Sequence, residues 1–148
     1  MQSPIFTGGV FRTARPGDVE AVSALYQLLG REQPIDSTEL AGFLARPDQQ
    51  MALCVLRDGS TVWLVAWTTW DTSLSFPRPV CFIQDLVVLP TARRRGVGTA
   101  LLRHVRQWGQ DHGIRVFHLQ ASAGKPGLKA FYRRNKFEVK GHAFYLFD

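Results

Sequence analysis

Arg93-Arg94-Arg95-Gly96-Val97-Gly98 is the stretch on which the reading of this chain turns. It follows a short apolar run, Phe82 to Leu89, and a Pro90-Thr91 turn, and it leads into an amphipathic segment, Thr99 to Asp111. A strand, a basic glycine-bearing loop and a helix start, in that order, build an anion site. Backbone N–H groups at a helix N-terminus lack intrahelical partners, and the helix dipole adds partial positive charge behind them. The glycines remove the Cβ atoms that would hold a phosphate away from the backbone. Three arginines add charge around the loop.

Working outward, the pattern alternates between strand and helix signals. Val10 to Ala14 reads as a short strand. Pro16 suits a helix's first turn, and Val19, Val22, Leu25, Tyr26 and Leu29 recur at helical spacing before Gly30. Asp36-Ser37-Thr38-Glu39 has the form of a capping box ahead of Leu40, Phe43 and Leu44, and Pro47 stops that helix. Met51 to Arg57 and Thr61 to Trp70 are β-prone runs around an Asp58-Gly59 turn. A polar, proline-bearing loop, Asp71 to Pro79, precedes the strand Val80 to Leu89. In the next helix Val97, Leu101, Val105 and Trp108 line one side, while Arg103, Arg106, Gln107 and Gln110 face away. Val116 to Ala121 reads as a strand and Leu128 to Asn135 as a short helix. Phe137 to Val139 and His142 to Phe147 read as final strands. The order predicts a single mixed α/β domain over residues 1–148, with a loose tail over 1–9 and a right-handed β-α-β crossover at the glycine loop.

Composition narrows the class. The chain has 148 residues, 45% of them hydrophobic, and a formal net charge of +6. That balance suits anionic partners. No apolar run approaches the roughly 20 residues a membrane helix needs, and the N-terminus lacks a secretory signal pattern, which together point to a cytoplasmic protein. Cys54 and Cys81 sit singly in apolar runs and read as buried thiols, with no Cys/His cluster to suggest a metal.

Gly96-x-Gly98 has no third glycine, so the dinucleotide fingerprint fails, and no Gly-Lys-Ser/Thr is present to make a P-loop. The pattern that fits is R-x-x-G-x-G before a helix. It comes with a strand ending Asp85-Leu86-Val87-Val88 and a later Ala130-Phe131-Tyr132-x-x-x-x-Phe137. This combination resembles the GNAT family of N-acetyltransferases, strongly from Phe82 to Phe137 and more loosely before, where Arg12-x-Ala14-x-x-x-Asp18 is also similar. The resemblance implies a mostly antiparallel central sheet with helices on both faces and a β-α-β acyl-CoA-binding core. It implies acetyl-CoA as co-substrate. The cysteines suggest no metal site, and because neither stands near a plausible base, direct attack by an amine in a ternary complex is expected. The amides of Arg94, Arg95, Gly96, Val97, Gly98 and Thr99 would surround the pyrophosphate, with Arg93 also a cofactor-binding residue. The backbone of Leu86 and Val88 would bond the pantetheine arm, in a slot where that strand splays from Val116 to Ala121.

Tyr132 matches the family's general acid, which protonates the departing thiolate. With an ordinary pKa of about 10 it holds its proton at neutral pH. Without that resemblance it reads as a core tyrosine beside Leu128 and Phe131. Asp85 has three readings: a base acting through water, a ligand for a cationic substrate, or a satisfied strand carboxylate. Gln84 stands where some relatives carry a second acid. His118 is a fallback base, with a hydrogen-bonded structural histidine as its plainer reading. Lys125 replaces a frequent Asn; it either reaches a CoA phosphate or is solvated, as do Arg133 and Lys136. Lys136 also replaces the usual Gly before the final Phe, which suggests a different local turn.

Trp63 and Trp67 read as core, while Trp70 and Phe76 are candidates for an acceptor pocket shaped by the loops Ile35 to Leu40 and Asp71 to Pro79. The acceptor class that fits is a small-molecule amine, with a protein or peptide amine as the alternative. A homodimer is compatible with the sequence. Two other classes compete: a non-catalytic acyl-CoA-binding module, and a nucleic-acid-binding module using Arg103 and Arg106, for which no helix-turn-helix or RNP pattern appears.

Overall fold

The computed structural model describes residues 8–71, 74–75, 79–93, 96–121, 124–125 and 127–148. Five strands form one sheet in sequence order: β1 (Gly9–Thr13), β2 (Gln49–Leu56), β3 (Thr61–Trp70), β4 (Val80–Val88) and β5 (Val116–Leu119). The first four are antiparallel neighbours, and β5 lies parallel to β4. The parallel pair is joined by helix α3 (Val97–Asp111), which is the crossover expected around the glycine loop. Helices α1 (Val19–Leu28) and α2 (Ser37–Ala45) precede the hairpins, and α4 (Leu128–Arg134) follows β5.

Two apolar cores lie on opposite faces of the sheet. On one face, α1 and α2 bury Val22, Leu25 and Leu40 against Leu53, Leu64, Ala66 and Val87. On the other, α3 buries Leu101, Leu102 and Val105 against Trp63, Val65, Trp67, Cys81 and Ile83, with Phe131 and Tyr132 of α4 packed at the margin. Trp63 and Trp67 are core residues, as their setting in β3 suggests.

Local signals explain most boundaries. The Asp36 side chain accepts from the Glu39 N–H at 2.8 Å and caps α2, but the Glu39 carboxylate turns to Arg31 at 2.8 Å, so only half of a capping box forms. Arg12 donates both guanidinium nitrogens to Asp18 at 2.7 Å, which ties β1 to the start of α1. That ion pair holds the Asp18 carboxyl below its usual range.

Three expectations need correction. β1 begins at Gly9, so the loose tail cannot extend to residue 9; residues 1–7 lie outside the described ones. The final strands expected over 137–139 and 142–147 do not form. Their β-prone residues find no ladder partner among the described residues, and a strand without one leaves its backbone groups to water. Lys136 does not change the local turn. It takes φ of +73°, the left-handed conformation a glycine would take, and ends α4 with the Phe137 N–H bonded to the Tyr132 carbonyl at 3.0 Å.

Candidate active site

The site is built around a bulge in β4. Asp85 pairs with Ala66 and Ile83 with Trp67, so Gln84 is an extra residue between them. The insertion reverses the side-chain alternation. Below it, Cys81 and Ile83 face α3; above it, Leu86 and Val88 do, while Val87 joins the opposite core. The bulge is also where β4 leaves β5, because their pairing ends at Ile83 with Leu119.

Above the bulge one edge of β4 has no partner strand among the described residues. Leu89 donates its N–H to the Val62 carbonyl on β3 at 2.9 Å. Backbone groups alternate sides along a strand, so those of Val88 and Leu86 point away from β3, into the gap left by β5. Leu86 and Val88, the two residues expected to border a slot, stand on this edge. Arg93 turns back and donates its Nε to the Val88 carbonyl at 3.3 Å.

The gap leads to the N-terminus of α3. Gly96 caps this helix with φ of +76°, a conformation that costs a side-chain-bearing residue roughly 1–2 kcal/mol. No side chain caps the helix, and the first intrahelical bond runs from the Ala100 N–H to the Gly96 carbonyl. The N–H groups of Val97, Gly98 and Thr99 therefore stand without intrahelical acceptors. Gly98 has a packing role beside the one its spacing suggests. A Cβ there would lie 2.9 Å from Cζ of Phe131, so its bareness admits the α4 ring against α3. Arg94 and Arg95 lie outside the described residues. Lys125 is exposed ahead of α4, with no hydrogen bond or ion pair among the described residues.

Tyr132 sits half-buried on α4, its ring against Phe131 at 5.1 Å and Phe137 at 5.9 Å. Its hydroxyl has no hydrogen-bond partner among the described residues, and burial pushes its pKa up. It thus keeps its proton throughout the neutral range. Both cysteines are buried, and desolvation pushes Cys54 up to about 11 and Cys81 up to about 12, which makes them poor nucleophiles.

On the opposite face, Asp85 has a partner that its sequence neighbourhood does not disclose. Tyr26 of α1 donates its hydroxyl to Oδ2 of Asp85 at 2.7 Å. Burial, with the nearby carboxylate second, drives the Tyr26 pKa upward, so it stays a donor. Oδ1 of Asp85 has no hydrogen-bond partner among the described residues. Among the described residues His118 makes no hydrogen bond, unlike its plainer reading. Its ring packs on Phe82 at 5.0 Å and edge-on to Trp70 at 6.0 Å. Phe76 lies outside the described residues.

These groups fit a ligand with a phosphate-bearing end, an amide-bearing arm and a thioester. They are uncapped amides at a helix start, a free strand edge leading from them, and a protonated tyrosine nearby.

Comparison with known proteins agrees. A model of the Acetyltransferase (GNAT) family matches residues 21–137. The chain is 26% identical over 97 residues to an uncharacterised N-acetyltransferase of Methanocaldococcus jannaschii, an alignment covering 66% of this chain and 42% of that protein's length. Among solved structures, an aminoglycoside antibiotic 6'-N-acetyltransferase of Acinetobacter baumannii superposes with a TM-score of 0.82 at 17% identity, over 95% of this chain and 98% of that one. An aminoglycoside N-acetyltransferase in complex with CoA superposes with a TM-score of 0.82 at 20% identity, over 99% of each chain. The fold, the splayed strand and the family match over most of the chain lead to one conclusion: this protein belongs to the acetyltransferase (GNAT) family.

Proposed function

We propose that the protein is an acetyl-CoA-dependent N-acetyltransferase that acetylates a primary amine of a small molecule by direct attack in a ternary complex. The observation that carries this reading is the open edge of Leu86 and Val88, where β4 and β5 part beside the uncapped start of α3. Acetyl-CoA supplies an activated acyl thioester. The amides of Val97, Gly98 and Thr99 would hold its pyrophosphate, with the charge of Arg94 and Arg95 adjacent in sequence. Backbone groups of Leu86 and Val88 would bond the pantetheine amides, and Arg93 would release the Val88 carbonyl if that group is used.

The bound ammonium first loses one proton to solvent. The neutral amine nitrogen then forms a bond to the acyl carbon, the carbon–sulfur bond breaks, and Tyr132 gives its proton to the departing sulfur. The second proton on nitrogen is lost through solvent, from which Tyr132 is reprotonated. Asp85 acts as the ligand of the incoming ammonium, because Tyr26 orients one of its oxygens and the other has no partner among the described residues. The buried, high-pKa thiols argue against an acyl-cysteine intermediate. The aminoglycoside substrates in the names of structural relatives support a small-molecule acceptor. The tail also carries Phe144, Leu146 and Phe147, each more than four-fifths exposed, and Tyr145 donates to Gln120 just past the β5 edge. Pairing of two copies through this segment would cover them, and sedimentation velocity would report it.

The test is an acceptor panel at fixed acetyl-CoA, with free thiol as the readout. Thiol release that depends on a small amine supports the reading. Release with peptides alone moves the acceptor to protein amines. Acetyl-CoA binding with no release for any amine leaves an acyl-CoA-binding module.

A further inference from the structure

The face of the sheet that holds Asp85 also carries a cluster of rings. Trp70 packs on Phe82 with centroids 4.9 Å apart, and His118 completes the group. Cross-strand register puts the cluster and the carboxylate on one face. Asp85 is opposite Ala66, Phe82 is opposite Thr68, and His118 is opposite Phe82. Ala66 and Thr68 are two residues apart on β3, so they share a face and are separated by about 7 Å along the strand. Both the Asp85 carboxylate and the rings flank the point where β4 and β5 part. Trp70 is 39% exposed and His118 is exposed, so the rings are not sealed by the α1 and α2 layer. Asp85 is the only acid in the sequences of β3, β4 and β5.

We infer that the acceptor is a monoamine whose nitrogen stands about two carbons from an aromatic body. The ammonium meets Asp85 and the body lies on Trp70, Phe82 and His118. The inference rests on the acetyltransferase reading above and specifies its substrate class. A polyamine or a polyamino sugar would leave the rings' flat faces unused. An arylethylamine matches the spacing and the apolar surface together. Tyr26 is a positioning residue in this arrangement: its hydroxyl fixes one Asp85 oxygen and leaves the other for the amine.

The experiment measures free thiol with phenethylamine, tryptamine, n-hexylamine, spermidine and an aminoglycoside at saturating acetyl-CoA. The aryl amines should exceed n-hexylamine by about tenfold in kcat/KM. Trp70→Ala should collapse that preference toward one, mainly through KM. His118→Ala, at an exposed position, gives the same readout if the Trp70 variant does not fold. Tyr26→Phe should raise KM for the aryl amines by about tenfold with a smaller change in kcat. That split separates positioning of the carboxylate from a merely structural role, which would lower the amount of folded enzyme and leave KM alone. Turnover of spermidine or the aminoglycoside at or above the aryl amines would overturn this inference and leave the acetyltransferase reading standing, as would an unchanged preference in both ring variants. Binding of acetyl-CoA, seen by calorimetry, with no thiol release from any amine would overturn both.

Discussion

The two faces of β4 are made differently. On the α3 side, the groups that suit the acyl donor are backbone atoms: the open edge at Leu86 and Val88, and the amides that follow Gly96. On the α1 side, the groups that suit the acceptor are side chains. Tyr26 and Asp85 meet across 59 positions of sequence, and the rings come from three separate strands. A donor site made of backbone tolerates sequence change as long as the strand still splays and the helix still starts there. An acceptor site made of side chains changes its ligand whenever one of them changes.

The largest expected effect falls on the donor side, at the side chain proposed as the general acid. Tyr132→Phe should lower kcat by about 100-fold or more, within the usual range for loss of a general acid, while the affinity for CoA stays near that of the parent. Steady-state kinetics with calorimetric titration of CoA separates the two. The pH dependence has a definite sign. Burial raises the Tyr132 pKa, which favours the protonated, donating form, so the alkaline loss of kcat assigned to this group should lie above pH 10. An unchanged kcat in the Phe variant would remove Tyr132 from the chemistry and leave the donor face wholly backbone.

The contrast also accounts for what was legible. Arg93 to Thr99 is contiguous, and its glycines, its position after a strand and the period of α3 are local signals, so the donor side could be read in order along the chain. The α3 face of Leu101, Val105 and Trp108, and the burial of Trp63 and Trp67, follow from periodicity in the same way. The bulge at Gln84 was not legible, because an inserted residue shows only against the strand it fails to pair with. The Tyr26 contact to Asp85 and the packing of His118 on Phe82 depend on tertiary placement, which no spacing encodes. The C-terminal run from Phe137 to Phe147 shows the opposite failure. Its β-propensity is plain, but propensity does not supply a partner strand.

Gly98 tests whether the donor face is as tolerant as its backbone construction implies. Gly98→Ala places a methyl 2.9 Å from Cζ of Phe131, so the ring must shift in the contact between α3 and α4. The expected cost is about 1–3 kcal/mol, measured as a lowered denaturation midpoint. Because Phe131 is adjacent to Tyr132, kcat should fall as well. Phe131→Leu in the same background should recover part of the stability by freeing space. If Gly98→Ala is neutral, the glycine belongs to the anion loop alone.

A smaller effect is expected where the acceptor face is anchored. Asp18→Asn removes the bidentate partner of Arg12, and the part-buried pair is worth about 1.5 kcal/mol. The folded-state pKa of Asp18 is depressed, chiefly by its bond to Arg12. Its contribution is therefore complete above the ordinary aspartate value of about 4 and is lost as pH falls through the lower folded value. Chemical denaturation of parent and variant should differ at pH 7 and converge in strong acid. A gap that persists there would mean the variant acts by packing rather than by charge.

The smallest effect sharpens the comparison at the C-terminal end of α4. Lys136 holds φ of +73° although it has a side chain, and it does so at the step that closes the helix carrying Tyr132. The Lys136 N–H reaches the Arg133 carbonyl and the Phe137 N–H reaches the Tyr132 carbonyl, each at 3.0 Å. Phe137 then folds its ring back toward Tyr132. A glycine would adopt this conformation without the Cβ clash, but it would also leave the unfolded chain with more freedom, so the two terms partly offset. Lys136→Gly should stabilise the protein by about 0.5–1 kcal/mol, a rise in Tm of about 2 °C. A loss of stability instead would show that the Lys136 side chain holds a contact that compensates for its strained backbone. The position of Tyr132 would then depend on a side chain, as the acceptor face does.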